Sequence, residues 1–284
     1  MKHKKMHGKV VLITGGTDGI GKQGAFELAG MGASVVIVGR SEAKSKQAVD
    51  EIIQKSGNSA VDFLLADLSS MGQVRQLADD FKERYNRLDV LVNNAGGAFI
   101  RRVESVDGFE KTFALNHLAY FLLTHLLLDM LKFSAPSRVI NTSSNSHFRG
   151  KIYFEDLQIR SRYFVMKGYS QSKLANVLFT RELSERLAGT GVIANCFHPG
   201  LVDTGIFRKI FLGWLIGPLL ARRAISVEEG AKTLVYLASS PEVGDVSGEY
   251  FYKKKVGKTA VQAKDDAAQK RLWKMSEEMV SPWL

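Results

Sequence analysis

The sequence predicts a single doubly wound α/β domain over residues 1–284, built around a seven-stranded parallel sheet. Short runs rich in β-branched residues alternate with helical stretches along the chain. These runs are apolar throughout, as is typical of strands buried on both faces of a parallel sheet. The sequence contains no repeat, low-complexity linker or Pro-rich hinge that would divide it into two domains. Because parallel neighbours need crossover connections, we expect right-handed strand-helix-strand units.

The individual elements follow from this alternation in chain order. The first half is predicted to contain strands 9–14, 34–39, 60–65 and 88–92, with helices 20–30, 41–56 and 70–85 between them. The second half is predicted to contain helix 104–133 with a break near Asn116, strand 137–142, helix 167–188, strand 192–197, helix 226–239 and strand 247–252. The long connections 143–166 and 200–225 would lie at the carboxyl ends of strands, where ligands bind in such folds.

The composition excludes several classes of protein. With 284 residues, 45% of them hydrophobic, 26 Gly and 5 Pro, the chain is neither disordered nor collagen-like. Cys196 is the single cysteine and lies in an apolar run, so an inert buried thiol and a reducing compartment are expected. The net charge of +10 favours anionic ligands, anionic membrane surfaces or nucleic acid, unless it is spread over solvated faces.

Two apolar stretches bear on membrane association. The amino terminus predicts neither a secretory segment nor a membrane anchor, because its basic residues lead directly into a glycine-rich loop. The stretch 113–131 contains polar and charged residues, which favours a core or interface helix over a bilayer span. Segment 206–223 has a short apolar run between basic residues. Connection 200–225, which contains this segment, is predicted to be a mobile apolar lid over a substrate pocket. Segment 206–223 is predicted to touch an anionic membrane surface, as an alternative to this role or in addition to it, in a cytoplasmic protein.

A glycine-rich loop follows the first predicted strand. Glycines let a backbone turn tightly and approach a pyrophosphate, while the start of the next helix offers free N–H groups and partial positive charge. The position of the loop between the first strand and the first helix therefore predicts a dinucleotide site. A Walker-type loop would need Ser or Thr after Lys22, where this chain has Gln23. The predicted contacts in the loop are Gly15, Thr17, Asp18, Gly19, Ile20 and Gly21.

The residue after the second strand indicates which dinucleotide is bound. NAD-specific sites place an acidic side chain there to hold the ribose 2′-hydroxyl, whereas an Arg accommodates a 2′-phosphate. Arg40 occupies this position and predicts NADP(H). Asp67 and Leu68, after the third strand, are predicted to meet the adenine. Asn94, Ala95 and Gly96 follow the fourth strand at the same sheet edge.

Tyr169 and Lys173 lie four residues apart and would share one face of a helix. A free phenol has a pKa of about 10 and is a poor acid or base at neutral pH. A lysine charge about 4 Å away stabilises the phenolate, so the pair is a candidate for proton transfer.

Two further polar residues complete the predicted site. Ser143 and Ser144 follow strand 137–142, where a hydroxyl can donate to a substrate carbonyl oxygen while Tyr169 delivers the proton. Asn116 lies at the predicted helix break. Its side chain or kinked backbone is predicted to hold a water next to Lys173 that relays protons to solvent; the alternative is that it caps the second helical segment.

These residues resemble the short-chain dehydrogenase/reductase family, whose members have a Rossmann fold. The resemblance spans nearly the whole chain, and stretches 116–128, 134–144 and 172–183 are similar to the retinol dehydrogenase branch in particular. The matching elements are Thr14-Gly15-xxx-Gly19-x-Gly21, Asn93 to Gly96, Asn116, Ser144, Tyr169-xxx-Lys173 and His198-Pro199-Gly200.

The resemblance implies an NADP(H)-dependent carbonyl reductase or alcohol dehydrogenase. Its tetrad would be Asn116, Ser144, Tyr169 and Lys173, with the last two also contacting the cofactor. The residues implied to flank the nicotinamide are Pro199, Gly200, Val202 and Thr204. Aromatic and aliphatic residues in the lid favour a hydrophobic aldehyde, ketone or alcohol, of which retinal and retinol are examples.

Other classes of function are less well supported. The histidines show no metal-ligand spacing, and no site for a metal is predicted. A serine hydrolase would need a glycine in place of Ser172, and Lys253 to Lys255 are predicted to form a solvated turn and not a nucleic-acid site. The alternative that stays open is a catalytically silent sensor or scaffold that binds the dinucleotide without turnover.

The two long helices predict a further contact. Their apolar surface exceeds what one sheet face needs, which favours pairing with a second subunit and leaves a monomer as the alternative. The residues concerned are Leu122, Leu123, Leu126, Leu127, Leu174, Val177 and Leu178.

Overall fold

Residues 5–201 and 225–284 are described by the structure, which is a computed structural model. Apolar, β-branched segments form one continuous sheet, as expected for strands covered on both faces. The strands are β1 (Val10–Thr14), β2 (Ser34–Gly39), β3 (Val61–Leu65), β4 (Val90–Asn93), β5 (Ser137–Thr142), β6 (Val192–His198), β7 (Tyr250–Tyr252) and β8 (Lys255–Val256).

The strand order is β3-β2-β1-β4-β5-β6-β7-β8. In the register, Leu12 of β1 lies opposite Val36 of β2 and Leu91 of β4. Strands β1 to β7 are parallel, which confirms the predicted doubly wound sheet. The direction in which the chain adds strands reverses between β1 and β4, and this reversal opens a crevice at their carboxyl ends.

The sheet formed by residues 5–201 and 225–284 has eight strands, one more than predicted. Strand β8 pairs antiparallel with β7 at the edge of the sheet. Lys253 and Lys254 connect the two strands at φ angles of 50° and 63°. Two consecutive residues with positive φ form the type of turn whose twist matches a hairpin. The lysine run is thus a turn, as predicted, but a hairpin turn that starts one more strand.

Most helices lie within a few residues of their predicted positions. The helices are α1 (Gly19–Gly30), α2 (Glu42–Ser56), α3 (Met71–Arg84), α4 (Lys111–Phe113), α5 (Ala119–Leu126), α6 (Leu128–Phe133), α7 (Val165–Arg186), α8 (Val227–Ser239) and α9 (Asp266–Val280). Short 3₁₀ turns are Asn145–Arg149, Pro241–Val243, Val261–Lys264 and Ser281–Trp283.

The predicted helix 104–133 is interrupted and begins later than expected. The carboxylate of Glu110 accepts hydrogen bonds from the backbone N–H groups of Thr112 and Phe113, both at 2.8 Å, and so caps α4. The break predicted near Asn116 is confirmed: a π-helical turn, Ala114–Leu118, separates α4 from α5. Such turns often occur at functional sites because the extra residue redirects side and main chains.

The core has two layers, one on each face of the sheet. Val36 and Val38 of β2 face the layer that includes α3, α5 and α7, whereas Val35 and Ile37 face the layer formed by α1, α2 and α8. Because alternate residues of each strand are buried in opposite layers, the sheet is rigid and its carboxyl edge is a fixed platform for the loops.

The C-terminal helix α9, which the sequence analysis did not identify, packs against α7 and α5. The indole of Trp273 lies 4.9 Å from the Phe121 ring, and the Arg186 guanidinium lies 4.2 Å above the indole. Leu122, Leu123, Leu127, Leu174, Val177 and Leu178, which favoured a second subunit, are each at most 1% exposed in the single chain. Their apolar character is accounted for within one chain, and oligomerisation stays a prediction.

Within the described residues, no helix combines the length and the apolar character needed to cross a bilayer. Residues 202–224 of the predicted lid, 200–225, and the whole predicted membrane segment, 206–223, lie outside the described residues.

Candidate active site

The loops after β1 and β4 are joined by the hydroxyl of Thr14, the last residue of β1. This hydroxyl accepts hydrogen bonds from the backbone N–H groups of Asn94, at 2.8 Å, and Ala95, at 3.1 Å, and donates to the carbonyl of Val92. The Asn94 side chain donates in turn to the carbonyl oxygens of Thr14 and Gly15. The two loops therefore form one rigid rim over the crevice between β1 and β4.

The glycine-rich loop after β1 lies so close to the loop after β4 that two of its positions, 15 and 21, have no room for a side chain. Gly15 has a φ of +67°, and a Cβ atom there would lie 2.9 Å from the Cα atom of Ala95. A Cβ atom on Gly21 would collide with the carbonyl oxygen of Gly15. Gly15 and Gly21 therefore leave the backbone unobstructed on either side of the start of α1. This geometry lets backbone N–H groups contact a phosphate.

The other loop residues have structural roles in addition to their predicted ones. Asp18 caps α1, because its carboxylate accepts a hydrogen bond from the N–H of Gly19 at 2.7 Å. The Thr17 methyl group occupies the space that a Cβ atom on Gly39 would need. The side chain of Ile20 is buried in the core. The cap leaves the following N–H groups of the first turn for an anion.

At the end of β2, the space beside Gly39 is occupied by neighbouring side chains. A Cβ atom on Gly39 would lie 2.5 Å from both the Thr17 methyl and the Ser45 hydroxyl, so an acidic side chain does not fit there. Arg40, the next residue, is exposed. Its positive charge helps to lower the pKa of Asp67, which places the two side chains in the same electrostatic environment.

Asp67 and Leu68 lie at the end of β3, beside Arg40 along the sheet edge. Burial would raise the pKa of Asp67, but hydrogen bonds from Ser69 together with the charges of Arg40 and Lys111 outweigh burial, and the pKa is lowered. The Leu68 side chain is buried in the core, so only its backbone is available to a ligand. The predicted adenine contacts are therefore a carboxylate and a main-chain segment.

Tyr169 and Lys173 lie on one face of α7, as predicted. The Lys173 Nζ atom is 5.6 Å from the centroid of the Tyr169 ring, and it donates a hydrogen bond to the carbonyl oxygen of Thr142 at 3.0 Å. Both side chains are buried, at 3% and 7% exposure. This pair lies where α7 passes the carboxyl end of β5.

Burial determines the protonation of the pair. It raises the pKa of Tyr169 to about 12, although the neighbouring Ser144 hydroxyl acts in the opposite direction. It also lowers the pKa of Lys173 to about 7. The lysine charge was expected to stabilise the phenolate; burial instead disfavours both charged forms, the phenolate and the ammonium. Tyr169 therefore retains its proton at neutral pH.

Of the two candidate serines, the structure brings Ser144 to the tyrosine. The Ser143 hydroxyl is buried and donates to the carbonyl oxygen of Lys173 at 2.8 Å, so it anchors α7. The Ser144 hydroxyl accepts from the N–H of Ser146, and the Ser144 carbonyl accepts from Nδ1 of His147 at 2.7 Å. The hydroxyl is thus held on a fixed backbone beside the phenol.

The side chain of Asn116 is fully engaged with the loop after β4. Its Oδ1 atom accepts from the N–H of Gly97 at 2.8 Å, and its Nδ2 atom donates to the Gly97 carbonyl and to the Ser172 hydroxyl, both at 2.9 Å. Asn116 therefore fixes this loop and α7, and the cap considered as an alternative is not formed. A side chain at Gly96 would meet Asn116 and the Lys173 ammonium, so Gly96 keeps the approach to both open.

Residues at the end of β6 border the same edge. His198 stacks on Tyr252 with ring centroids 5.2 Å apart, and Pro199 and Gly200 follow it. A side chain on Gly200 would collide with Ile225. Val202 and Thr204, which the resemblance places beside the nicotinamide, lie outside the described residues.

Sequence reasoning did not identify Asn176 and Thr142 as part of the site. Asn176 lies on α7, three residues after Lys173, and its side chain donates to the carbonyl oxygens of Asn116 and Thr142. The spacing after Lys173 was the available signal, because residues three apart share a helix face. The Thr142 contribution is a main-chain carbonyl, for which a sequence gives no signal.

The buried imidazoles of His117 and His198 make the free energy of unfolding depend on pH. Burial lowers the pKa of His117 and of His198 to about 4, from an ordinary value of 6.5. Between these values the unfolded chain binds more protons than the folded one, so the free energy of unfolding falls as the pH is lowered. We expect a loss of at most about 3 kcal/mol for each imidazole between pH 7 and pH 4.

Urea denaturation at pH 7, 6 and 5 measures this loss. In His198→Asn, which has no imidazole at this position, the loss should be smaller than in the wild-type protein. An equal loss in both proteins would contradict the assignment to His198.

Comparisons with known proteins agree with this geometry. A family model described as short chain dehydrogenase matches residues 9–213. Retinol dehydrogenase 14 of Mus musculus is 42% identical over 97% of this chain and 86% of its own length. Polyprenol dehydrogenase of Homo sapiens is 40% identical over 95% of this chain and 84% of its own length.

Solved structures give the same result. An uncharacterised protein from Mycobacterium paratuberculosis superposes with a TM-score of 0.80 at 33% identity, covering 97% of this chain and 94% of its own. The RhlG/NADP active-site complex of Pseudomonas aeruginosa has a TM-score of 0.73 at 28% identity, covering 88% of this chain and 97% of its own. The chain therefore belongs to the short-chain dehydrogenase family of oxidoreductases and is similar to its retinol dehydrogenases.

Proposed function

We propose that this protein is an NADP(H)-dependent oxidoreductase that interconverts a hydrophobic aldehyde or ketone and the corresponding alcohol. The observation that carries the proposal is the buried group of Tyr169, Lys173 and Ser144 beside the rim of the β1–β4 crevice. Members of the family use a nicotinamide dinucleotide, which supplies or accepts the hydride when bound.

The residues present fit such a cofactor. The glycine-rich backbone and the first turn of α1 suit a pyrophosphate, because both present N–H groups with little side-chain obstruction. Exposed Arg40 and the space filled beside Gly39 favour a 2′-phosphate over a free 2′-hydroxyl. These features support NADP(H).

Each member of the tetrad has a distinct task in carbonyl reduction. Tyr169 carries its proton at neutral pH and donates it to the carbonyl oxygen of the substrate. The Ser144 hydroxyl donates a hydrogen bond to the same oxygen and stabilises the negative charge that develops there. Lys173, once protonated, stabilises the phenolate that remains, and Asn116 holds the loop that borders the reacting atoms.

The substrate class rests on the sequence of segment 206–223 and on the relatives. Phe207, Phe211, Trp214 and Leu215 make this segment apolar, which favours a hydrophobic substrate. Two relatives are named for retinol and polyprenol, both of them apolar alcohols. A polar sugar is a poorer fit to these properties.

The decisive experiment is oxidation of NADPH and NADH by the purified protein with carbonyl compounds that range from short and polar to retinaldehyde. The proposal expects turnover with NADPH that increases with substrate hydrophobicity. Binding of NADPH without turnover across the whole panel would refute it and favour the silent sensor.

We also propose that segment 206–223 contacts anionic membrane surfaces from the cytoplasmic side. Its short apolar run has Arg208 and Lys209 before it and Arg222 and Arg223 after it, a pattern that suits shallow insertion. Sedimentation with anionic vesicles should detect binding. Replacing Trp214 and Leu215 by Glu should abolish it, and equal binding of the double variant would exclude this segment as the contact.

A further inference from the structure

A chain of buried hydrogen bonds leads from the C-terminal helix α9 to the surroundings of Lys173. Ser276 of α9 lies 2.9 Å from Nε2 of His117, and Nδ1 of His117 lies 3.3 Å from Oδ1 of Asn176. The Nδ2 atom of Asn176 reaches the carbonyl oxygens of Asn116, at 2.9 Å, and Thr142, at 3.2 Å. The Thr142 carbonyl also accepts the hydrogen bond from Lys173.

The chemistry of the end groups fixes the direction of every bond in this chain. Carbonyl oxygens only accept, so Nδ2 of Asn176 is the donor and its Oδ1 atom is free to accept. Nδ1 of His117 must then carry the proton, which leaves Nε2 as an acceptor for the Ser276 hydroxyl. The order of donation is Ser276 to His117 to Asn176 to the two carbonyls, with His117 in a single neutral tautomer.

Water has no access to this chain. The side chains of Ser276, His117 and Asn176 are fully buried. The imidazole packs 4.9 Å from the Phe113 ring and 6.1 Å from the Phe179 ring. Removal of one donor therefore leaves a buried acceptor that solvent does not satisfy, and the rest of the chain must rearrange.

We propose that Ser276, His117 and Asn176 are positioning residues that hold the Thr142 carbonyl, the hydrogen-bond acceptor of Lys173, and thereby fix the Lys173 ammonium relative to Tyr169. The inference rests on the proposed roles of Lys173 and Tyr169. Ser276 lies beyond residues 9–213, the part of the chain that the family model matches, so an element outside that match would control the proton-transfer site. The three residues act through Lys173 and do not touch the substrate.

The test begins with Ser276→Ala, which removes the first donor and little volume. We expect kcat to fall about tenfold, since small displacements of a reacting group cost up to about a hundredfold, while KM for the carbonyl substrate changes little. Ser276→Thr retains a hydroxyl and should recover most of the lost kcat. An unchanged kcat in Ser276→Ala would overturn the proposal.

A control separates positioning from loosening of the helix. Leu272, on the same helix, is buried in the core and takes no part in the hydrogen-bond chain. Leu272→Ala should lower the melting temperature more than Ser276→Ala does, yet reduce kcat less. If the loss of kcat follows the loss of thermal stability in both variants, the role of Ser276 is structural and the proposal is wrong.

The tautomer of His117 gives a readout independent of turnover. Long-range ¹H–¹⁵N NMR of the protein without substrate should show the proton on Nδ1 in the wild-type protein and a changed signal in Ser276→Ala. A proton on Nε2 in the wild-type protein would overturn the hydrogen-bond chain. Absence of turnover in the wild-type protein would instead refute the proposed function, whatever tautomer is seen.

Discussion

Replacing Tyr169 by Phe is expected to reduce kcat for carbonyl reduction by about a hundredfold to ten-thousandfold, the usual contribution of a positioned general acid. The phenol is buried and carries its proton at neutral pH, so no solvent group replaces it readily. The ring itself remains to pack against its surroundings, and NADPH affinity should change little. Steady-state kinetics together with fluorescence titration of NADPH distinguish the two effects.

Tyr85→Phe is a matched control for this change. Burial raises the pKa of Tyr85 to about 12 as well, and its hydroxyl donates to the Asp62 carboxylate at 3.1 Å, away from the candidate site. Loss of this hydroxyl should lower stability by about 1 kcal/mol and leave kcat unchanged. Turnover of Tyr169→Phe at the wild-type rate would contradict the assignment of Tyr169 as the general acid.

Replacing Arg40 by Asp is expected to invert the coenzyme preference from NADPH to NADH. Hydrogen bonds to charged groups contribute about 1.5–3 kcal/mol, so loss of the guanidinium should lower kcat/KM for NADPH by roughly ten- to a hundredfold. The new carboxylate would repel a 2′-phosphate and accept hydrogen bonds from a 2′-hydroxyl. The ratio of kcat/KM for the two coenzymes measures the change.

Lys44→Asp makes the same change of charge four residues later, in the first turn of α2. If Arg40 recognises the 2′-phosphate, Lys44→Asp should change the ratio of kcat/KM for NADPH and NADH far less than Arg40→Asp does. The opposite ranking of the two variants would show that Lys44 is the residue that recognises the phosphate.

Much of the fold follows from local pattern. Strands β1 to β6 could be predicted from their apolar segments, because strands buried on both faces have a continuous β-branched sequence. Strand β8 and the hairpin at Lys253 and Lys254 could not, since a two-residue strand has no periodicity and positive φ is unusual for lysine.

The C-terminal helix shows a different limit. Its partners, Phe121, Phe179 and Arg186, are distant in sequence, so no local pattern indicates that it covers α5 and α7. Six of the seven residues that favoured a second subunit are buried within the single chain, and Leu126 is half-buried. An excess of apolar residues on a helix indicates that its surface is covered. It does not indicate whether a second subunit or another segment of the same chain covers it.

The sequence by itself determined the chain order of β1 to β7 and of most helices, the glycine-rich loop, Arg40 directly after β2 and the spacing of Tyr169 and Lys173, because each depends on neighbours within a few residues. Only the tertiary structure showed that Ser143 anchors α7, that desolvation lowers the pKa of Lys173 to about 7, and that Asn176 and His117 connect Lys173 to α9. Burial and long-range hydrogen bonds arise when distant segments pack together, and their energies depend on distances in space, which no spacing along the chain specifies.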